Sequence, residues 1–511
     1  MKIPLATTAV ALWLVLLCAV PLAAAELPCK SGWRPSDGGV STAEAAALEL
    51  DATIVGALER VAATPGLAVG VLRRGDVVYA RGFGVRDLET CAPVTPQSVF
   101  YLLSVTKSFT GMAAALLQEE GTIELDKALP EYLPEARAAP PVNLAQTSLR
   151  DLLNHRPGFH NGAINFRSFL PGNLDEAALL HVLEHHSRPL EITFRYANTG
   201  YVVAAAALAR ATGKEWRELL EERIFKPLSM TSSTTSIERA TSGEFAYPYG
   251  LGLDGSFEPG MVKIEEQMHA AGGASSNVDD LLRWLEVNLE GGVIDGEQVL
   301  PPLAVRQAHA PQIQYDWEYG RFRRFAYGLG VHNSTMNGEL ILHHFGGPIH
   351  ISFAPQHRLG LVLLSAGPDS TGFVHALAAS LYDLLLGKPD ARATLAASLD
   401  EVKQKLAERL EARREREAGY RARQGELTRP AAVYQGSYAS DRLGEMIVTE
   451  AAAGAGLDLG FGVLSMRLEP LEPDVFLARF PDGGQAELRF DGWQEGRPGV
   501  LDWGGRIFER Q

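Results

Sequence analysis

Between Gly66 and Val85 two apolar runs flank a tight RRGD turn, which predicts a β-hairpin. The pattern then changes to a helical period. SVTKSFTGMAAALLQEEG (104–121), LRDLLNH (149–155) and a segment from about Asp175 to His186 each predict a helix. GYVVAAAALARATGKEWRELLEERIF (200–225) reads as two helices broken at Thr212 and Gly213. Strand-like runs return at ELILHHF (339–345) and RLGLVLLSA (358–366), and FVHALAASLYDLLLG (373–387) predicts a closing helix. Strands at both ends with helices between them predict an α+β domain whose sheet joins its N- and C-terminal parts. From Asp400 to Gln424, Val402, Leu406 and Leu410 recur at four-residue spacing among charges, the pattern of a solvated amphipathic helix acting as a spacer. After Pro430 the runs shorten and alternate (LDLGFG, MRLEPL, VFLARF, AELRF), predicting a small antiparallel β domain of barrel type.

Length and composition fit this division. A chain of 511 residues is too long for one ordinary domain, and 46% hydrophobic residues belong to a globular protein rather than a disordered one. The first 25 residues carry one lysine, an apolar core and a run of small residues ending at Ala25, which reads as a secretory signal peptide and predicts export to the periplasm or the exterior. Two alternatives stand beside it: an uncleaved membrane anchor over residues 3–25, and lipid attachment at Cys18, which the preceding bulky Leu17 disfavours. The net charge of -15 argues against nucleic acid as a partner. Without the leader, Cys29 and Cys91 are the remaining thiols; they form a disulfide clamping the N-terminal arm, or stay unpaired.

Lys107 does not suit its place. It falls in the first turn of a helix, where the positive end of the dipole disfavours a cation. A lysine one turn after a serine can take the serine's proton if its amine is neutral, and burial and the helix terminus both push it that way. A Ser-x-x-Lys spacing alone is weak, since a helix cap and a surface lysine give the same text. Two further segments add weight. Tyr196 and Asn198 stand together before a helix, offering a phenol to relay protons and an amide to grip a carbonyl or the lysine. His344, Phe345, Gly346 and Gly347 end a strand, where glycines let a ligand approach the backbone.

Taken together these segments resemble the serine β-lactamase-related family, which includes class C β-lactamases, D-alanyl-D-alanine carboxypeptidases, D-aminopeptidases and related esterases. GDVVYARGFGVRDLETCAPVTPQSVF, SVTKSFTGMAAALLQEEG, LRDLLNHRPGF, FRYANTGYVVAAAALARATG, IFKPLSMTSS, AAGGASSNVDDLLRWL and HFGG carry the likeness, over roughly Leu48 to Gly387. The tail from about Arg429 is more loosely similar to the lipocalin-like β domain of some members. The resemblance implies an α+β transpeptidase-like serine hydrolase domain (26–390), a charged helical linker (391–428) and a small β-barrel domain (429–511). It implies Ser104 as the acylated nucleophile, Lys107 as its base, Tyr196 in the proton relay to the leaving group, and Asn198 on the substrate or Lys107. The backbone N–H groups of Ser104 and Gly347 are implied as the oxyanion hole, with His344, Gly346 and Gly347 at the substrate. No metal or organic cofactor is implied, and the partner is a small molecule or short peptide. The oligomeric state is left open.

The third segment departs from the family pattern. Members that recognise a carboxylate have lysine, then threonine or serine, then glycine; His344 is mostly neutral above pH ~6.5 and Phe345 cannot hydrogen-bond. Poor binding of β-lactams and of D-Ala-D-Ala carboxylates is the expectation, with hydrolysis of small amides or esters retained. PIHISFAPQH after Gly347 and LLSAG without an asparagine also depart from the pattern. Two rival functions remain. HVLEH (181–185) matches a zinc-peptidase pattern in which His181 and His185 bind metal beside Glu184, although a polar helix face explains it as well. The other rival is a protein that keeps the fold but only captures peptides or cell-wall fragments. Arg195 reads as an anion grip or an ion pair, and His155 and His160 as loop or packing residues.

Overall fold

A computed structural model of the protein describes residues 27–29, 32–36, 44–451, 456–481 and 483–511. The signal-peptide segment 1–25 lies outside the described residues. The predicted hairpin is formed by β1 (Gly66–Arg73) and β2 (Asp76–Asp87), followed by the short β3 (Ala92–Pro93). Six strands come from the C-terminal half of the domain: β4 (Ile313–Tyr319), β5 (Phe322–Tyr327), β6 (His332–Met336), β7 (Glu339–Gly346), β8 (Ile349–Ala354) and β9 (Leu359–Ser365). All nine join in one antiparallel sheet of order β4-β5-β6-β7-β8-β9-β1-β2-β3. The join between the two chain halves is β1 on β9, with Leu67 opposite Ser365.

The central strands β1 and β9 are buried apart from Arg73 at the end of β1, because both faces of the sheet are covered. Leu67, Val69, Val71, Leu361 and Leu363 pack with Ile54 and Leu58 of the helix Glu44–Val61 and with Phe373, Leu377 and Leu381 of the helix Thr371–Leu385. Ala68, Leu72, Val362 and Leu364 face the other way, onto Leu281, Leu282 and Leu285 of the helix Val278–Leu289 and the core beneath the helix Thr106–Glu119. The period-two alternation therefore splits into two apolar cores.

The charged helix runs from Ala391 to Arg423, beginning earlier than its sequence pattern predicts. It is not a solvated spacer. Leu395, Leu399, Leu406 and Leu410 are buried against the helices Glu44–Val61 and Thr371–Leu385, and Arg413 and Arg414 donate to the carbonyls of Leu251 and Leu253. The tail folds as a closed barrel of eight strands between Gly436 and Arg510 among the described residues. It rests on the first domain through the Val463 N–H on the Pro171 carbonyl and the Phe166 ring against Phe461 and Trp503. Cys29 and Cys91 are joined in a disulfide, with Cα atoms 5.7 Å apart, which ties the N-terminal arm to the residue just before β3.

Candidate active site

Ser104 does not cap its helix. Leu103–Val105 form a short 3-10 turn, the α-helix starts at Thr106, and no side chain caps it. Leu103 holds φ at +48°, a left-handed value unusual for leucine, so the turn that presents Ser104 is strained. Lys107 is likewise no surface residue: it is 0% exposed. Its Nζ lies 3.0 Å from Ser104 Oγ, 2.8 Å from Asn198 Oδ1 and 2.7 Å from the Ala271 carbonyl. Burial, and then the charge of Lys263, push its pKa well below the usual lysine value.

Counting protons at Nζ defines what this arrangement can do. A neutral amine has two hydrogens and one lone pair. The carbonyl oxygens of Asn198 and Ala271 can only accept, so they take both hydrogens. As an ammonium Nζ donates to all three oxygens; once it is neutral, its lone pair is left to Ser104, whose hydroxyl can then donate to it. Tyr196 also hydrogen-bonds to Ser104, and burial pushes its phenol up to about 12, so it stays protonated at neutral pH. Its ring stands with its centroid 5.0 Å from Lys107 Nζ. The Ser104 hydroxyl, the Lys107 amine and the Tyr196 phenol thus converge.

The strand end HFGG lies against the Leu103–Val105 turn that carries Ser104. A side chain on Gly346 would put Cβ 2.2 Å from the Leu102 carbonyl, and Gly347 has φ +56°. Only glycine permits the first contact, and the second position favours it. His344 is 3% exposed and sits beside Tyr196, ring centroids 6.1 Å apart. Burial, Lys107 and Arg324 hold its pKa well below the ordinary histidine range, so it is neutral. Phe345 is buried in a stack with His343, His350 and His375, with the Arg324 guanidinium 5.2 Å from its ring.

Two buried chains of hydrogen bonds reach the site, and their directions follow from groups that can act only one way. The Ala197 N–H donates to His155 Nδ1 at 3.2 Å, so His155 Nε2 carries the proton and donates to the Tyr327 hydroxyl. His344 Nδ1 donates to the Phe345 carbonyl at 3.0 Å, so its Nε2 accepts from Tyr327. This ties the Tyr196–Asn198 loop to the HFGG strand. In the second chain His375 Nε2 donates to the Gly347 carbonyl at 3.0 Å, and its Nδ1 accepts from His350 Nδ1 at 3.1 Å. His350 Nε2 then accepts from the Ser352 hydroxyl, which accepts from Tyr382. Both imidazoles are neutral, with burial pushing His375 down to about 3. His350 and His375 were not legible from the sequence, because histidines in apolar text give no pattern.

The remaining expectations resolve as follows. His155 makes loop hydrogen bonds, while His160 and Arg195 are exposed beside Arg188 and Arg442. His181 and His185 do not gather with Glu184 as one ligand set. Instead His181 and His186 both meet the carboxylate of Asp441 from the barrel, the only trio of ligand-type groups close enough to share an ion among the described residues, their atoms within 4.8 Å of one another. Each histidine is already hydrogen-bonded to Asp441, so the cluster joins the helix Glu176–His186 to the barrel.

Comparison with known proteins agrees with this fold. The model of the beta-lactamase family matches residues 52–385. The chain is 26% identical to the unguisins hydrolase ungD' of Aspergillus campestris over 64% of its own length and 62% of that protein's. It is 24% identical to penicillin-binding protein 4* of Bacillus subtilis (62% and 71%) and 31% identical to the D-aminopeptidase of Brucella anthropi (43% and 42%). The octameric penicillin-binding protein homologue from Pyrococcus abyssi shares the fold, with a TM-score of 0.58 at 22% identity, covering 91% of this chain and all of that one. A family match over most of the first domain, on a transpeptidase-like sheet with helices, places this chain in the β-lactamase family of serine hydrolases.

Proposed function

We propose that this protein hydrolyses small amides or esters through an acyl-enzyme on Ser104, with short peptides containing D-amino acids ahead of β-lactams as substrates. The observation that carries the reading is the placement of the buried Lys107 Nζ, 3.0 Å from Ser104 Oγ and held there by the Asn198 and Ala271 carbonyl oxygens. Ser104 Oγ attacks the substrate carbonyl carbon and its proton passes to Lys107 Nζ. The oxyanion develops toward the backbone N–H groups of Ser104 and Gly347, each worth about 3 kcal/mol in such sites. As the bond to the leaving group breaks, the Tyr196 phenol gives that group its proton and is reprotonated from Lys107. Water then attacks the ester carbonyl on Ser104, with Lys107 again the acceptor, and releases the acid.

Peptide substrates are supported by relatives that include a D-aminopeptidase, a penicillin-binding protein and an unguisins hydrolase. The uncharged His344 and the buried Phe345 argue against a fixed-charge carboxylate site of the β-lactamase kind. Export to an oxidising compartment is part of the reading, supported by the Cys29–Cys91 disulfide. The test is intact mass after exposure to a fluorophosphonate probe. One adduct on the wild type and none on Ser104→Ala is the expected result; no adduct on a folded protein would overturn the serine mechanism.

A further inference from the structure

A cavity of about 510 Å³ opens beside the nucleophile turn. Leu103, which precedes Ser104, and Pro348, which follows Gly347, form part of its wall; Arg413 of the long helix and Phe480 of the barrel close another part. Lys263 lines it as well. This lysine is 6% exposed. Its backbone N–H donates to the Tyr101 hydroxyl at 3.0 Å, and its Nζ stands 5.8 Å from the Tyr101 ring and 5.2 Å from the Phe169 ring. Among the described residues Nζ has no hydrogen bond and no ion pair, and desolvation alone sets its titration. The two acids on the same wall do not serve it: Asp369 accepts from the Leu251 N–H, and Glu258 is exposed.

A buried ammonium without a counter-ion costs several kcal/mol. The two aromatic rings at these distances return only part of that cost, so packing alone does not account for it. An anion entering the cavity would. None of Ser104, Lys107, Tyr196, Asn198 and Gly347 lines the cavity; it touches the site through their neighbours Leu103 and Pro348, so what it receives is a group of the substrate distal to the reacting carbonyl.

We propose that Lys263 is the anchor of an anion-binding subsite that selects acyl donors carrying a carboxylate. The proposal rests on Ser104 being the acylated nucleophile. With His344 uncharged, it moves the positive charge for substrate recognition from the HFGG strand to Lys263 in the adjoining cavity.

The test is calorimetric titration of the Ser104→Ala protein, which does not turn over, with the monoanilides of succinic, glutaric and adipic acids and with their methyl esters. At pH 7 at least one acid is expected to bind tenfold or more tighter than its own ester. Adding Lys263→Met should erase the preference, and Lys263→Arg should keep it to within threefold. Above pH 8 the preference should fade with lysine and persist with arginine. Equal binding of every acid and its ester, or a preference surviving in Lys263→Met, would overturn the proposal. The melting temperature of each variant reports its folding, and the arginine and pH arms do not depend on the methionine variant. A fluorophosphonate adduct without a carboxylate preference sinks the anchor alone; a preference without an adduct sinks the serine reading alone.

Discussion

Replacing His375 by phenylalanine keeps the bulk of the ring and removes both of its nitrogens. Two bonds are lost, one to the Gly347 carbonyl and one from His350 Nδ1. Gly347 is exposed, so water can satisfy its carbonyl; His350 is fully buried, so its N–H is orphaned. That orphan costs about 1–3 kcal/mol, which lowers the melting temperature by a few degrees in a domain of this size. The kinetic effect should be larger than the stability loss suggests. His375 is a positioning residue: it fixes the peptide that follows the Gly347 N–H, and a whole oxyanion donor is worth about 10²–10³ in kcat. A loosened one should lose about 10-fold to 100-fold, with KM for an activated ester changing little because the ground-state carbonyl binds weakly there. Glutamine at 375 carries a donor and an acceptor at the spacing of the two imidazole nitrogens. His375→Gln should therefore recover most of kcat. Steady-state kinetics of wild type, His375→Phe and His375→Gln decide the matter. Equal losses in both variants, or no loss in His375→Phe, would refute the relay.

The pH dependence of kcat/KM for a neutral ester should rise through the depressed pKa of Lys107, well below the ordinary lysine value, since only the free amine accepts the Ser104 proton; Tyr196 at about 12 should leave the rate flat to pH 10, and a fall before pH 9 would contradict its assignment as the protonated phenol. Lys263 has a pKa of about 8 in the folded chain against about 10.5 unfolded, so the unfolded state binds more protons and stability rises with pH across that window; Lys263→Met should raise unfolding free energy at pH 7 by up to about 3 kcal/mol, less any packing lost, and the gain should shrink toward pH 10.5 in denaturant titrations. Gly346→Ala places Cβ 2.2 Å from the Leu102 carbonyl and should destabilise by about 1–3 kcal/mol and cut the fluorophosphonate labelling rate by 100-fold or more; labelling within threefold of wild type would show that the strand can retreat. Reducing the Cys29–Cys91 bond, which closes a loop spanning 62 residues, should cost up to about 4 kcal/mol by chain entropy, read as a drop in melting temperature under reductant that Cys91→Ser reproduces.

What could be read from the sequence followed the strength of the local pattern. The hairpin at Gly66, the helix after Ser104 and the strands at Glu339 and Leu359 have long apolar runs, and each forms where its pattern lies. Strands β4 to β6 were not legible. IQYDWEY and FRRFAY are polar and aromatic text at the edge of the sheet, where one face meets solvent and the alternation is diluted by Arg323, Arg324 and Asp316. The long helix was misread as solvated because three visible apolar positions understate a buried stripe that begins at Leu395. Ser104 and Lys107 could be paired in the sequence because they lie one helical turn apart, whereas only the family resemblance joined Tyr196 and Asn198 to them. The Ala271 carbonyl and the His350–His375 chain could not be found in that way. Their contribution depends on which backbone groups the tertiary fold brings within 3 Å, and no residue type announces it.

The charges around Ser104 make the histidine at 344 intelligible. A serine hydrolase that uses a lysine base needs that amine neutral, and a second cation near it helps only until the substrate brings an anion. Here burial comes first and Lys263 second in depressing Lys107, while the histidines at 155 and 344 are held neutral by burial and by a hydrogen-bond chain that fixes their tautomers. An ammonium at 344 would sit beside the base and at the end of a chain that has no acceptor for its extra proton, because Tyr327 already receives the His155 N–H and gives its own proton to His344. A neutral imidazole fits that chain and leaves the reacting carbonyl free of a fixed charge. Lys263 supplies the cation from the adjoining cavity, through space rather than through a hydrogen bond, so its charge can be cancelled by a bound anion without breaking any contact to Lys107. On the proposed reading, an anion docked there would raise the proton affinity of Lys107 and make it a stronger base with the acyl group in place.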